Sequence, residues 1–339
     1  MKVLSLFDGI SCGRVALERA GIQVEQYTAY EIDKYAIRIS QHNWPDIVQM
    51  GDVTTADFTQ YEGVDLLIGG SPCQGFSFAG KQLNFDDPRS RLFFEFVRAK
   101  RESHPKYFLL ENVKMKKEYE DVITEYLGVE PIEINSSLVS AQRRKRLYWT
   151  NIPGVQLPAD KGILLEDIVH ENEPAPPFNL DDYKVPFDDT FQILNNEVQK
   201  GKIGYFRKDS QANRVYSIHG KAVTLCGEAG GGAAKMGQYL FDCITPDRLV
   251  KRQNGQRFND GKKFYTLTAQ DRHGILIDGY IRKLTPVECE RLQTLPDNYT
   301  LADGVPDPQR YKTLGNGWTV DVIAHIFDNL QLMDELMDF

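Results

Sequence analysis

Lys2-Val3-Leu4-Ser5-Leu6-Phe7-Asp8-Gly9-Ile10-Ser11-Cys12-Gly13 opens the chain with a short apolar run that breaks at a glycine turn and passes directly into a helical pattern. Val15, Leu17 and Ala20 continue that pattern as far as Gly21, a residue type that ends helices. The unit then recurs. Apolar runs at 27–31, 47–50, 64–68, 107–110, 132–135 and 147–149 alternate with amphipathic segments, which is the pattern of βαβ units. Asp33 is placed to cap a helix over 34–41. Asp87-Pro88 reads as a cap followed by proline at the first helical position, opening a helix through Leu92, Phe93, Phe96 and Val97. The expected fold class is α/β, a doubly wound and mostly parallel sheet.

Outward from that region the texture changes. Asn151-Ile152-Pro153-Gly154 and then Pro174, Pro176, Pro177 and Pro186 mark a connector, so a second, smaller domain is expected beyond it; 339 residues exceed one average domain. Residues 160–189 hold nine acids against two lysines, a net charge of -7 that nearly accounts for the -8 of the whole chain. From 200 to 283 the balance reverses to sixteen basic against seven acidic residues, with Tyr205, Phe206, Tyr239 and Tyr265 among them, a composition that can face phosphates. Within that stretch, Lys221-Ala222-Val223-Thr224-Leu225-Cys226 and Lys263-Phe264-Tyr265-Thr266-Leu267-Thr268 echo each other and are expected to be two similar hairpins. Helical patterning returns past 280, with helices expected over 286–295 and 320–332. No apolar stretch approaches the ~20 residues of a membrane helix, and the N-terminus lacks the features of a signal peptide. Five scattered cysteines with no Cys-x-x-Cys pair argue against disulfides and structural metal, and no metal ligands are assigned.

Open α/β sheets bind ligands at the carboxyl ends of their strands, and the candidate site residues collect there. The turn Phe7-Asp8-Gly9-Ile10 follows the first strand but does not match G-x-G-x-x-G. Glu31 ends the second strand, placed to accept hydrogen bonds from a ribose diol, and Asp52 ends the third strand region. Each acid alone reads as an ordinary helix cap; with Phe7 as a stacking face for adenine they describe an adenosyl pocket that needs no phosphate cradle. After the fourth strand comes Gly69-Gly70-Ser71-Pro72-Cys73-Gln74-Gly75-Phe76-Ser77. A free cysteine is commonly a small buried hydrophobe, but here Pro72 fixes the backbone before it and a glycine-bearing loop follows. Glu111 is expected at the end of the fifth strand, so a nucleophile and a general acid share one cleft.

Taken together, Pro72-Cys73-Gln74, Glu111-Asn112-Val113, Gln142-Arg143-Arg144-Lys145-Arg146 and Gly315-Asn316 occur in the order and spacing of the DNA cytosine-5 methyltransferases, and the chain resembles that family over almost its whole length. Leu6-Phe7-Asp8-Gly9-Ile10, Arg91-Leu92-Phe93-Phe94-Glu95-Phe96 and Gly317-Trp318 look more like the animal de novo branch, while the compact chain looks bacterial or viral. The resemblance implies a Rossmann-like methyltransferase fold that takes S-adenosylmethionine and leaves S-adenosylhomocysteine. It implies that Phe7, Asp8, Gly9, Ile10, Glu31, Ile32, Asp52, Val53, Pro72, Leu92, Asn316 and Trp318 surround the cofactor. Cys73 would attack C6 of the target cytosine, Glu111 would hold its N3 edge, Arg146 its O2 side, and Arg144 would support Cys73 and its loop. Gln74, Ser77, Lys81 and Arg89, in the loop after the nucleophile, and Lys251, Arg252, Lys262 and Lys263 in the basic stretch would meet double-stranded DNA. The implied division is a catalytic domain over 1–160 and 279–339, a connector over 161–179 and a target-recognition domain over 180–278. The setting it implies is the cytoplasm of a bacterial or phage-infected cell, with a cognate restriction endonuclease as possible partner.

Some positions depart from the family: Ser11-Cys12 where small residues or glycine are usual, Thr313 in place of Gln and Gly317 in place of Ser. Competing readings are a related RNA methyltransferase, a silent nucleic-acid-binding relative and, more distantly, an NAD-dependent oxidoreductase. The long basic insert favours DNA over RNA, and the presence of Cys73, Glu111 and Arg146 counts against a silent protein.

Overall fold

The structure, a computed structural model, describes residues 1–71, 91–169, 184–185, 191–193, 202–207, 214–217, 221–225, 238–241, 280–282 and 284–337. The first run of elements is β1 (Lys2–Leu6), α1 (Cys12–Arg19), β2 (Gln26–Tyr30), α2 (Lys34–Asn43), β3 (Val48–Gln49) and β4 (Leu66–Gly69). It continues with α3 (Arg91–Ser103), β5 (Tyr107–Val113), α4 (Lys117–Leu127), β6 (Ile132–Asn135) and β7 (Lys145–Thr150). These strands form one seven-stranded sheet in the order β3-β2-β1-β4-β5-β7-β6. β1 to β5 run parallel, and β7 runs against both of its neighbours, β5 and β6.

Burial on both faces explains why these strands read as near-continuous apolar runs. On one face Val3, Ala29, Leu66, Ile68 and Leu109 pack with Val15 and Ala16 of α1 and with Val322, Ile323, Ile326 and Phe327. The last four belong to α7 (Val320–Met337). On the other face Leu4, Leu6, Leu67, Phe108 and Leu110 pack with Phe93, Phe96 and Ala99 of α3 and with Ile123 and Leu127 of α4. Residues adjacent along a strand thus enter opposite layers. Asp33 caps α2 as expected, accepting from the amides of Tyr35 at 2.9 Å and Ala36 at 3.4 Å. The Asp87-Pro88 cap lies outside the described residues.

The fifth strand ends at Val113, within the Leu110–Val113 stretch where the sequence places its end, because residues 109–113 pair with residues 146–150 of β7. Glu111 therefore projects from within a strand. Lys221–Leu225, expected to be an arm of a hairpin, is instead laid against the segment before β7: Ala222 donates its amide to Ala141 O at 2.7 Å and accepts from Arg143 N at 2.9 Å. Its counterpart over 263–268 lies outside the described residues.

A second sheet has the order β8-β13-β12-β11-β10-β9. It is built from β8 (Lys184–Val185), β9 (Phe191–Ile193), β10 (Lys202–Phe206), β11 (Arg214–Ser217), β12 (Gln238–Phe241) and β13 (Tyr280–Arg282). The chain then returns through α5 (Pro286–Leu292), α6 (Asp307–Asn316) and α7. A buried ion pair joins α5 and α6: Arg310 reaches Glu290 at 3.0 Å with both side chains at most 1% exposed. Glu290 also accepts the amides of Asn298 at 2.6 Å and Thr300 at 2.8 Å, so the charge is fully engaged, which is the condition under which a buried pair is tolerated. Among the described residues no helix is long and apolar enough to cross a membrane.

Candidate active site

In the sheet order, β1 has β2 on one side and β4 on the other, so the chain reverses direction across the sheet at that point. Such a switch point leaves a crevice above the strand ends. A cavity of about 780 Å³ lies there, with Phe7, Gly9, Glu31, Ile32, Asp52, Val53, Leu92 and Asn316 on its walls. Glu111, Arg144 and Arg146 line it as well. The structure thus brings together eight of the twelve residues expected around the cofactor and three of the four expected at the reacting centre.

The β1–β2 end is organised around one carboxylate. Gly9, at a φ of 60°, turns its amide to Glu31 Oε2 at 2.8 Å, while Glu31 Oε1 takes the amides of Ile32 and Asp33, both at 2.8 Å. A side chain at position 9 would be held in a left-handed conformation that glycine adopts without strain. The amide of the glycine turn is therefore spent on an internal carboxylate, and Glu31, Asp33 and Asp52 all face the cavity. These carboxylates, of which Asp33 is already paired with Lys312 at 2.7 Å, disfavour a pyrophosphate and fit a nucleoside carrying positive charge. Ile32 is 75% exposed on the same wall, an apolar surface that an adenine ring would cover, next to a carboxylate suited to a ribose diol. Asp52 Oδ1 is occupied by Thr54, through its amide and its hydroxyl, each at 2.9 Å. The residues present fit S-adenosylmethionine.

Asp8 and Ile10 are not on the cavity wall: Ile10 is buried, and Asp8 faces inward. Ser5 Oγ and Tyr27 Oη donate to Asp8 Oδ1 at 2.6 and 2.7 Å, and Ser11 Oγ donates to Oδ2. Ser11, one of the departures, thus serves as an internal donor. Removal from water pushes the Asp8 carboxyl up to about 6, against the opposing pull of those hydroxyls. A carboxyl raised from 3.8 in the unfolded chain favours the folded state below that value, and the contribution is lost as pH rises through about 6. Asp8→Asn retains an acceptor for Ser5 and Tyr27 without the charge. It is expected to flatten the fall in stability between pH 4 and 6 and to gain on the order of 2 kcal/mol over the parent at pH 7. Denaturant titrations across that range check this; parallel curves for the two proteins would refute it.

At the β5–β7 end, Val113 faces Arg146 across the strand pair, and Glu111, two residues along, lies on the same side. Arg146 Nε pairs with Glu111 Oε1 at 2.9 Å, with only 14% and 11% of the two side chains exposed. Trp318 Nε1 donates to the other oxygen, Oε2, at 3.1 Å. Trp318 is not on the cavity wall; its indole nitrogen meets Glu111 beside Gly70. Arg144 is buried and donates to the carbonyls of Leu225 at 3.0 Å, Gly315 at 3.1 Å and Gly317 at 2.9 Å, joining the basic segment to the end of α6. Asn112 was not singled out beyond its tripeptide, but its Nδ2 reaches Ser71 Oγ at 3.2 Å and so anchors the chain leaving β4. Pro72, Cys73, Gln74, Ser77, Lys81, Arg89, Lys251, Arg252, Lys262 and Lys263 lie outside the described residues.

The model of the C-5 cytosine-specific DNA methylases matches residues 1–332. Orphan methyltransferase M.SPRI of Bacillus phage SPR is 28% identical, the match covering 97% of each chain. Type II methyltransferase M.HhaI of Haemophilus parahaemolyticus is 27% identical over 97% of this chain and 94% of its own. Among solved structures, the Entamoeba histolytica methyltransferase EhMeth shares the fold with a TM-score of 0.67 at 20% identity, covering 97% of this chain and 98% of that one. A match running through both sheets, over a cavity lined by a paired carboxylate and guanidinium, makes this chain a member of the C-5 cytosine-specific DNA methylase family, enzymes that draw their methyl group from S-adenosylmethionine.

Proposed function

We propose that the β1–β2 end of the cavity holds the adenosyl group and the β5–β7 end receives a single cytosine turned out of duplex DNA, since a stacked base presents neither of its faces to a nucleophile. The observation that carries this reading is the Glu111–Arg146 pair, which lines the same cavity as Glu31. S-adenosylmethionine, when bound, supplies an electrophilic methyl group. Cytosine C5 is a poor nucleophile, and addition of the Cys73 thiolate at C6 makes the ring an enamine. Glu111 provides a proton towards N3, and Arg146, swung from the carboxylate towards O2, offsets the charge that builds on the ring. After transfer to C5, loss of the C5 proton and departure of Cys73 restore aromaticity. Arg144 holds the frame around these groups through its three carbonyl contacts.

Residues 180–278 are assigned to target recognition. Support comes from the basic excess over 200–283 and from a second sheet whose strands run from Lys184 to Arg282. Gln74, Ser77, Lys81, Arg89, Lys251, Arg252, Lys262 and Lys263 are the proposed DNA contacts. Action in the cytoplasm, beside a cognate endonuclease, extends the reading from relatives described as type II methyltransferases. Bisulfite sequencing of DNA from cells expressing the chain tests the whole: conversion-resistant cytosines are expected in one fixed context. Unmodified DNA together with methylated cytosine in RNA would favour the RNA reading instead.

A further inference from the structure

Both oxygens of Glu111 already have a donor on the protein, Arg146 Nε on one and the indole N–H of Trp318 on the other. The indole is given its place from two sides. Opposite it lies Gly70, where a Cβ would stand 2.9 Å from Trp318 Nε1 and 3.1 Å from Glu111 Oε2, so only glycine leaves room for the contact. On the other side, the backbone that carries Trp318 is clamped. Gln293, fully buried, donates to Leu314 O at 2.6 Å and Gly317 O at 3.3 Å, and accepts from Thr319 Oγ1 at 2.9 Å. Its own carbonyl takes the amide of Val320 at 2.9 Å. Arg144 adds a second donor to Gly317 O. The residues before and after Trp318 are therefore both fixed. A ring needed only as an apolar wall would require no donor aimed at a carboxylate.

We propose that Trp318 is a positioning residue for Glu111: its indole N–H fixes the carboxylate in the orientation that meets the target base, and Gln293 and Arg144 in turn fix Trp318. This rests on the assignment of Glu111 to that base. Trp318→Phe keeps the ring and removes the donor. In single-turnover methylation of duplex DNA at saturating S-adenosylmethionine, it is expected to slow transfer by about 10- to 100-fold, the range for a lost hydrogen bond to a charged group. Affinity for S-adenosylmethionine should stay within about 3-fold.

The deciding measurement is the cycle with Glu111→Ala. If Trp318 acts through Glu111, the Phe substitution slows the Glu111→Ala enzyme by less than about 2-fold, because the group it positions is gone. An equal slowing in both backgrounds, or a loss explained by weaker cofactor binding, overturns the proposal. Should Trp318→Phe fail to fold, Thr319→Val, which removes a hydroxyl from the Gln293 clamp on the backbone beside Trp318, enters the same cycle with the same two outcomes. Failure of the underlying reading looks different, with Glu111→Ala alone leaving the parent rate unchanged.

Discussion

Cys73→Ala is expected to abolish methyl transfer, lowering the single-turnover rate by at least about 10⁴-fold while folding and S-adenosylmethionine binding persist. The size of the effect follows from the chemistry: without an adduct at C6, nothing makes C5 nucleophilic. Retained binding follows from the placement of the cavity walls, since Phe7, Glu31, Ile32 and Asp52 follow β1, β2 and β3 and not β4, the strand that leads towards position 73. The local frame should survive too, because Asn112 anchors Ser71, two residues before the substitution. A complementary result is expected with 5-fluorocytosine at the target position. Fluorine cannot leave as a proton does, so the parent enzyme should be trapped on the DNA as a band that survives denaturing electrophoresis and requires S-adenosylmethionine. Turnover by Cys73→Ala, or the absence of that band, would sink the covalent route.

How far the sequence carried depended on whether a feature was local. Strands buried on both faces announce themselves as apolar runs, and all seven strands of the first sheet lie where those runs fall. The Asp33 cap was legible because an acid accepting from the amides two and three residues on is a short-range pattern. The seat of Lys221–Leu225 was not legible: its backbone bonds to Ala141 and Arg143 join segments some eighty residues apart. Position 8 shows the same limit. An acid beside a glycine at a strand end looks like a ligand contact, but Ser5, Ser11 and Tyr27 converge on it from three elements and turn it inward.

The site behaved likewise. Glu31 and Glu111 were legible because strand ends are where such folds bind ligands, whereas Arg146 came from the resemblance to the family. Trp318 was assigned to the cofactor from its place in the last motif, yet its indole meets Glu111, 207 positions earlier in the chain. Gln293 carries no periodic or compositional signal at all. It matters because a buried amide with one acceptor and two donors can close the backbone around Trp318, a property that only the folded arrangement reveals.

Glu111→Gln is expected to slow the chemical step by roughly 10² to 10⁴, the range of a lost general acid, with DNA affinity changed far less. Glutamine keeps the shape and still offers an N–H to N3, but it has no proton to transfer as the thiolate adds. The surroundings of Glu111 sharpen the expectation. A carboxylate accepts from Arg146 on one oxygen and from Trp318 on the other, whereas an amide has a single acceptor oxygen and must turn its NH₂ towards one of these two donors. Either Arg146 or Trp318 then loses its partner, which adds a stability cost of about 1–3 kcal/mol. The variant should therefore unfold earlier in denaturant as well as react more slowly. Equilibrium DNA binding measured beside single-turnover rates separates the two roles. A rate loss that far exceeds the binding loss identifies Glu111 as the proton donor. Equal losses would mean that it only positions the base, and the proton would have to reach N3 from another group.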